Sequence, residues 1–266
     1  MRAEAPPGLA QAPLFREVRA VWRLARAIAE GLRGLLICAL IFPFIKPQRR
    51  MRHVGAWSAR TLQALGIALQ AQGTPHAGPV LFAANHISWL DILAIDAVHP
   101  ARFVSKADVR RWPVLGWMVA CGGTLFIERE RKRDALRVVH QVAQALSMGE
   151  TLAVFPEGTT SDGQSLLPFH ANLLQAAIST ETPVQPLALR YSDADQPISP
   201  AAAYIGDTTL AQSLWAVAMG DELCVHVTLL PAQATRHLDR RALAERLRSE
   251  IGVALGLTAH DQACVD

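Results

Sequence analysis

Residues 78–97, GPVLFAANHISWLDILAIDA, join a short apolar run to the start of an apolar helix. Gly78 and Pro79 precede the run 80–84, and an apolar run of this length after turn residues predicts a buried strand. The following segment, 88–97, predicts a helix. A strand that leads directly into a helix is the unit from which α/β folds are built, so this stretch predicts an α/β fold.

The loop of this unit contains a histidine and an aspartate, His86 and Asp91, five positions apart. On one helix, residues five apart point roughly 140° away from each other. If the helix instead begins at Ser88 as its N-cap, Asp91 lies in the first turn and His86 can fold back onto it. Two interpretations stay open at this point: a helix cap beside a loop histidine, or a catalytic pair.

Strands and helices alternate through the rest of the chain. The predicted strands are 80–84, 102–105, 124–127, 151–155 and 184–189, with 201–205 and 223–229 as later additions; the predicted helices are 88–97, 134–148, 170–180 and 238–253. This alternation predicts a mixed, largely parallel sheet flanked by helices. Pro186 predicts an edge position or a bulge for its strand, because proline has no N–H to donate to a ladder.

Composition favours a membrane surface as a partner. Of the 266 residues 51% are apolar and only 18% are charged, and the formal net charge is +3. A mild basic excess suits anionic lipids or acidic ligands, and it is too small for a nucleic-acid-binding surface. The four cysteines are scattered, which indicates a reducing compartment and no disulfide framework or zinc site.

The N-terminal quarter predicts a membrane-association segment. Residues 1–13 are rich in alanine and proline and are expected to be disordered. The segment 14–72 then contains two predicted helices, 14–33 and 49–69, on either side of the apolar run 35–45. That run is about half of the ~20 residues needed to span a bilayer and has basic residues on both sides, which favours monotopic insertion into one leaflet. An ordinary buried core helix is the alternative. Residues 73–266 then form the α/β domain.

Three further groups of polar residues follow predicted strands. Lys106 directly follows the predicted strand 102–105, and Arg129 follows Phe126-Ile127-Glu128. The turn 155–161 reads FPEGTTS. Functional groups of open α/β sheets gather beyond the carboxyl ends of the strands, so these groups are expected to lie near His86. The charged run that begins at Arg129 and the FPEGTTS stretch also have a simpler interpretation as ordinary turns. For residues 131–133 of the charged run, a solvated turn is the better interpretation.

Together these blocks resemble the glycerolipid acyltransferase family, which has the ordered pattern N-H-x-x-x-x-D, a strand ending in arginine, F-P-E-G-T-R-S and V-x-P. The chain has matching residues at Asn85 to Asp91, Phe126 to Arg129, Phe155 to Ser161 and Val184 to Pro186. Lys106 also matches a lysine that is common between the first two blocks. The resemblance covers roughly residues 78–190.

The resemblance implies transfer of a fatty acyl group from a thioester, acyl-CoA or acyl carrier protein, to the free hydroxyl of a lysolipid. His86 is expected to be the general base, held in the right tautomer by Asp91. Lys106 and the backbone at Gly158 are candidates for the oxyanion donor. The candidate acceptor-binding residues are Arg129, Glu157, Gly158, Thr159, Thr160 and Ser161.

The expected acceptor is 1-acyl-sn-glycerol-3-phosphate, giving phosphatidic acid. One departure opens an alternative: Thr160 stands where the family has the arginine associated with the acceptor phosphate. Sequences of this form also resemble the lyso-ornithine-lipid branch, so a lyso-ornithine lipid or another lysophospholipid is the alternative acceptor. We expect a monotopic protein on the cytoplasmic face of the inner membrane, with no cofactor, metal or nucleic acid. A non-catalytic lipid-binding protein and a hydrolase are the competing hypotheses.

Overall fold

The computed structural model describes residues 13–127 and 132–257. Within them the strands are β1 (Ala68–Gln72), β2 (Leu81–Ala84), β3 (Arg102–Lys106), β4 (Leu125–Ile127), β5 (Leu152–Val154), β6 (Val184–Ser192) and β7 (Cys224–Leu229). The helices are α1 (Pro13–Leu40), α2 (Pro47–Leu65), α3 (Leu90–Val98), α4 (Ala107–Arg110), α5 (Leu115–Cys121), α6 (Lys132–Ser147), α7 (Leu174–Ser179), α8 (Leu210–Met219) and α9 (Arg240–Leu255). A short 3₁₀ turn, Phe42–Phe44, joins α1 to α2.

The strands described form one mixed sheet in the order β1-β7-β6-β2-β5-β3-β4. Every neighbouring pair is parallel except β6 and β7, which are antiparallel. The predicted fold class, a largely parallel sheet flanked by helices, is therefore confirmed. The parallel order brings the carboxyl ends of β2, β5 and β3 side by side, and this edge carries the residues singled out from the sequence.

Strand alternation divides the core between the two faces of the sheet. Phe82 and Ala84 of β2 pack on the face that α2, α3 and α8 cover. Leu81 and Ala83 point to the opposite face, where α6, α7 and α9 pack. Because both faces are covered, β2 is apolar at every position, as is typical of a central parallel strand.

Of the two positions predicted from Pro186, the edge is wrong and the bulge is found. Leu187 pairs with Leu229 but Val184 pairs with Gln233, so three steps along β6 face four along the partner segment. β6 lies inside the sheet, between β2 and β7. The Pro186 carbonyl accepts a hydrogen bond from the Leu230 N–H at 3.0 Å. At position 186, a residue other than proline could donate its own N–H to the Leu230 carbonyl. That carbonyl instead accepts from the side-chain amide of Gln185 at 2.9 Å. The neighbouring glutamine thus supplies the donor that proline lacks.

Several other elements differ from their sequence predictions. The predicted strand 201–205 is a turn, and the Tyr204 N–H donates to the carbonyl of Ile87 instead of to a strand. The helix predicted over 14–33 continues to Leu40, so it absorbs the first half of the apolar run. The sheet begins with β1 at Ala68, inside the range 14–72 that was assigned to membrane association. Residues 1–12, most of the segment expected to be disordered, lie outside the described residues.

Helix α1 is the one described helix, within Leu14–Phe44, that is long and apolar enough to cross a membrane by length and composition. One side of it packs against the domain. Arg16 and Arg19 pair with Asp221 beyond α8, and Arg23 donates to the carbonyls of Ala218 and Gly220. The other side exposes a row of large apolar side chains: Leu14, Phe15, Val18, Trp22, Ile28, Leu32, Leu36 and Leu40.

Candidate active site

The loop between β2 and α3 folds around the carboxylate of Asp91. This side chain is fully buried. Its Oδ2 accepts from the backbone N–H groups of Ile87 at 2.7 Å and Ser88 at 2.9 Å, and it lies 2.8 Å from Nδ1 of His86. Its Oδ1 accepts from the Tyr191 hydroxyl at 2.7 Å. The expected return of His86 onto Asp91 is confirmed.

The predicted N-cap at Ser88 is wrong. Helix α3 begins at Leu90, with Trp89 as the N-cap residue. The Ser88 hydroxyl is buried and has no hydrogen-bond partner within the described part of the chain. Asp91 does accept from the Ser88 N–H, as the third residue of a capping box would, but the Ser88 hydroxyl does not complete the box with a bond to the Asp91 N–H, which donates to the Ser88 carbonyl at 3.1 Å. Asp91 organises the loop in front of the helix, and it does so from the first helical turn.

Tyr191 is a site residue that the sequence did not reveal. It lies on β6, is fully buried, and is 100 positions from Asp91 in the chain. Burial, with the nearby Asp91 charge and the hydrogen bond to it, raises the pKa of Tyr191 well above 10, so the hydroxyl stays protonated and donates. Its position two residues after Leu189 on an alternating strand is a signal that the two side chains share a face, but not that they approach His86.

Asn85 fixes the start of the loop. Its side-chain amide donates to the Leu189 carbonyl at 2.9 Å, and its Oδ1 accepts from the Leu189 N–H at 2.8 Å. The amide thereby imitates one more rung of the β2–β6 ladder beyond Ala84. This explains the asparagine directly before His86, since a shorter or apolar side chain would leave two buried backbone groups unpaired.

The FPEGTTS turn holds the backbone of His86 from both sides. Glu157 Oε1 accepts from the His86 N–H at 2.8 Å, and its Oε2 accepts from the Leu167 N–H at 3.0 Å. The Ser161 N–H donates to the His86 carbonyl at 2.8 Å. Glu157 is 3% exposed, and burial raises its pKa to about 7. Glu157 and Ser161 therefore lie behind the loop, with their polar atoms directed at the protein.

The remaining residues of this turn are more accessible. Gly158 adopts a left-handed backbone with φ of +73°, which glycine permits, and its N–H donates to the Phe155 carbonyl at 3.0 Å. Thr159 is exposed. Thr160 is half-buried, and its hydroxyl donates to the carbonyl of Tyr204. Arg129 lies outside the described residues. The backbone of Lys106 ends β3, but its side chain is also outside the described part of the structure.

The imidazole of His86 stacks on the ring of Phe155, with centroids 3.9 Å apart and an interplanar angle of 11°. The two rings line a cavity of about 180 Å³. Its mostly apolar wall includes Ile37 of α1, Trp57 of α2 and Met118 of α5. Within the described ranges, no three His, Cys, Asp or Glu side chains group as a metal site requires.

Asp96 is the carboxylic acid in this wall. Its Oδ1 accepts from the Ala101 N–H at 3.0 Å, and burial raises its pKa to about 8. A carboxyl with that pKa is mostly neutral at pH 7, so the wall carries little charge. The cavity is thus a mostly apolar space with His86 in its lining.

Comparisons with known proteins identify relatives of this chain. An acyltransferase family model matches residues 68–190. A lyso-ornithine lipid O-acyltransferase of Pseudomonas aeruginosa is 38% identical over 210 residues, which cover 79% of this chain and 81% of that protein. A 1-acyl-sn-glycerol-3-phosphate acyltransferase of Neisseria gonorrhoeae is 39% identical over 209 residues, covering 77% and 81%.

A solved structure shares the fold. The crystal structure of the 1-acyl-sn-glycerophosphate acyltransferase PlsC from Thermotoga maritima superposes with a TM-score of 0.70 at 16% identity. The match covers 91% of this chain and 95% of that one. The similarity therefore includes the N-terminal helices as well as the sheet.

Proposed function

Since the chain belongs to the glycerolipid acyltransferase family, we propose that it transfers a fatty acyl group from a thioester to the free hydroxyl of a lysolipid, with His86 as the base. The observation that carries this proposal is the His86–Asp91 pair, whose histidine lines an apolar cavity. The cavity suits an acyl chain, and the thioester carbonyl of that chain would lie beside His86.

The hydrogen bonds of Asp91 support the assignment of the base. A carboxylate only accepts, so the Nδ1 of His86 that faces it carries the proton. The neutral ring then presents Nε2 as the proton acceptor. During transfer the acceptor oxygen attacks the thioester carbon, Nε2 takes the hydroxyl proton, the C–S bond breaks, and the thiolate leaves with that proton. Asp91 stabilises the imidazolium formed in between.

The other candidate residues take different parts in this proposal. Glu157 and Ser161 act as positioning residues, because they bind the backbone of His86. Lys106 is the candidate donor for the oxyanion, since the Gly158 N–H already bonds to Phe155. Thr159 and Thr160, which are more accessible, remain the candidates for contact with the acceptor. No cofactor enters this scheme; the acyl-CoA or acyl carrier protein is a co-substrate.

Two acceptors fit the scheme. The acceptor expected from the family pattern is 1-acyl-sn-glycerol-3-phosphate, and relatives with that activity in their names support it. The neutral Thr160 favours a lyso-ornithine lipid, whose head group has no phosphate, and a relative so named is 38% identical. An acyl-transfer assay with one labelled acyl-CoA and both lysolipids distinguishes them.

We place the protein on the cytoplasmic face of the inner membrane, with α1 lying in one leaflet. Along its length α1 is bound to the domain: Arg23 bonds to the end of α8, and the Trp57 indole donates to the Glu30 carbonyl at 2.8 Å. Gly34 lies so close to Trp57 that a Cβ there would be 2.6 Å from its indole nitrogen. If α1 crossed the bilayer, the attached polar surface would have to enter it. Lying flat buries only the exposed apolar row.

Release of free thiol from acyl-CoA tests the proposal. We expect release that depends on an added lysolipid and that yields one acylated lipid for each thiol. Equal release without any acceptor would instead identify a hydrolase. Binding of lysolipid with no release under any condition would identify a non-catalytic lipid-binding protein.

A further inference from the structure

A second, open pocket of about 500 Å³ lies next to the loop between β2 and α3 that carries His86, since its lining residue Ser213 accepts from the indole of Trp89. Asp207 and Thr208 line it, together with Gln212 and Ser213 from the start of α8. The lining of this pocket is far more polar than that of the apolar cavity lined by His86. Nothing in the reaction described above uses it.

Three hydrogen bonds join this part of the chain to the site: two through Tyr204, which does not line the pocket, and one through the lining residue Ser213. The Tyr204 N–H, three residues before Asp207, donates to the Ile87 carbonyl at 3.0 Å. The Tyr204 carbonyl accepts from the hydroxyl of Thr160. The Trp89 indole donates to the Ser213 hydroxyl at 3.0 Å. The pocket therefore adjoins the loop that carries His86.

The charge of the pocket is negative. Asp207 is the one charged side chain among its seven lining residues, all of which the structure describes. Thr160, whose hydroxyl donates to the Tyr204 carbonyl, is neutral. The N-terminus of α8 offers little to an anion, because its cap is already closed: Gln212 N–H donates to the Thr209 hydroxyl and Gln212 Oε1 accepts from the Thr209 N–H.

We propose that this pocket binds an ammonium group of the acceptor head group, and that Asp207 selects for it. The inference rests on the proposed acyl transfer and narrows the acceptor class to amine-bearing lysolipids. A carboxylate attracts an ammonium through charge-assisted hydrogen bonds and repels a phosphate. The pocket thus discriminates between acceptors by attraction and repulsion together.

The test compares three acceptors that differ in their charged groups: lyso-ornithine lipid, lysophosphatidylethanolamine and lysophosphatidic acid. Lyso-ornithine lipid bears an ammonium and a carboxylate, lysophosphatidylethanolamine an ammonium and a phosphate, and lysophosphatidic acid a phosphate alone. We expect wild-type protein to show a higher kcat/KM with lyso-ornithine lipid than with lysophosphatidic acid. Asp207→Asn should lower that ratio about two- to fivefold, as expected for loss of one charge pair at an exposed side chain, and Asp207→Lys should lower it further.

Glu245→Gln is the matched control, since Glu245 is an exposed carboxylate of α9 on the opposite face of the sheet. It should leave the ratio unchanged. A parallel titration measures the binding of each lysolipid in detergent micelles without any acyl donor, so that the pocket is tested even if no transfer occurs. There, too, Asp207→Asn should weaken the amine-bearing lysolipids selectively.

Three outcomes overturn the inference. One is a wild-type preference for lysophosphatidic acid in both assays. Another is an Asp207→Asn variant that lowers transfer to all three acceptors equally, which indicates a structural role. The third is an unchanged ratio. If lysophosphatidylethanolamine alone responds, the pocket selects a phospholipid amine and the amino-acid lipid is excluded. Absence of thiol release with every lysolipid would instead contradict the proposed function, while the micelle titration would still decide the role of Asp207.

Discussion

His86 is fixed through its ring, its N–H and its carbonyl. Asp91 holds the ring, Glu157 the N–H and Ser161 the carbonyl, while Phe155 stacks beneath the imidazole. Catalysis by a general base depends on geometry before pKa, and this arrangement leaves the imidazole few other positions. The FPEGTTS turn therefore positions His86 by binding its backbone, in addition to any contact that the turn makes with an acceptor.

The titration of Glu157 gives a pH-dependent prediction. Burial raises its pKa from 4.5 to about 7, so between these values the folded protein binds more protons than the unfolded chain. Stability contributed at this position therefore falls as pH rises through that window and is constant above it. Relative to Glu157→Gln, which does not titrate, the wild-type free energy of unfolding should fall by roughly 3 kcal/mol at most.

Urea denaturation of both proteins at about pH 5 and about pH 8 measures this difference. Glu245→Gln, which removes an exposed carboxylate, is the control and should show no such change with pH. A difference between wild type and Glu157→Gln that is independent of pH would show that Glu157 is ionised throughout.

Sequence reasoning identifies some of these residues and not others, for a physical reason. His86 and Asp91 are five positions apart, and a helix start between them is enough to predict their contact. Tyr191 approaches Asp91 only because β6 lies next to β2, and strand order is not contained in any local pattern. The positioning part of Glu157 was hidden for the same reason, since its partner is the backbone of a loop 71 positions away.

At the scale of elements, helices and turns differ in how much the local sequence decides. The amphipathic helix predicted at 134–148 is found as α6, Lys132–Ser147, because its apolar spacing matches the helical period. The apolar residues 201–205 do not form a strand, because they pack against the catalytic loop. Strand β1, ALQAQ, has weak strand propensity and exists as a strand through its pairing with β7. Helix α8 was not predicted at all.

The exposed apolar row of α1 gives a prediction about membrane binding. Trp22 and Leu36 are 59% and 56% exposed. Each large apolar side chain contributes ~1.5–3 kcal/mol when it leaves water, so the double variant Trp22→Glu/Leu36→Glu should bind anionic vesicles at least ~10-fold more weakly. Co-sedimentation with vesicles measures the bound fraction.

The control for this variant introduces the same charges elsewhere. Leu136 of α6 and Val253 of α9 are 65% and 74% exposed and lie on the opposite face of the sheet. Leu136→Glu/Val253→Glu should leave vesicle binding unchanged. An equal loss in both double variants would indicate a simple effect of net charge, and no loss in either would contradict the in-plane position of α1.

At the scale of the whole molecule, the cavity joins the N-terminal helices to the loop that carries His86. Its walls come from α1, α2, α3 and α5 as well as from β3, and His86 lines it. In our proposal the N-terminal helices therefore complete the acyl site as well as attaching the protein to lipid. This connection could not be predicted from the sequence, in which these helices are a separate segment before the α/β domain.

Val119 of α5 lines this cavity and provides a test of its contents. Val119→Phe adds a ring to a space of about 180 Å³, so the longest acyl chains should be excluded first. We expect kcat/KM to fall most for the longest saturated acyl-CoA donors and least for the shortest. Val253→Phe, on the exposed side of α9, is the control. A uniform change across all chain lengths would argue against an acyl chain in this cavity.

The measurement that tests the central claim most directly is thiol release from acyl-CoA by His86→Ala in the presence of lysolipid. His140→Ala, which removes an exposed histidine of α6, is the control and should have wild-type activity. For His86→Ala we predict a kcat ~10²-fold or more below wild type, as loss of a general base requires, with unchanged vesicle binding and circular dichroism. Retention of more than about a tenth of wild-type kcat would contradict the assignment of His86 as the base.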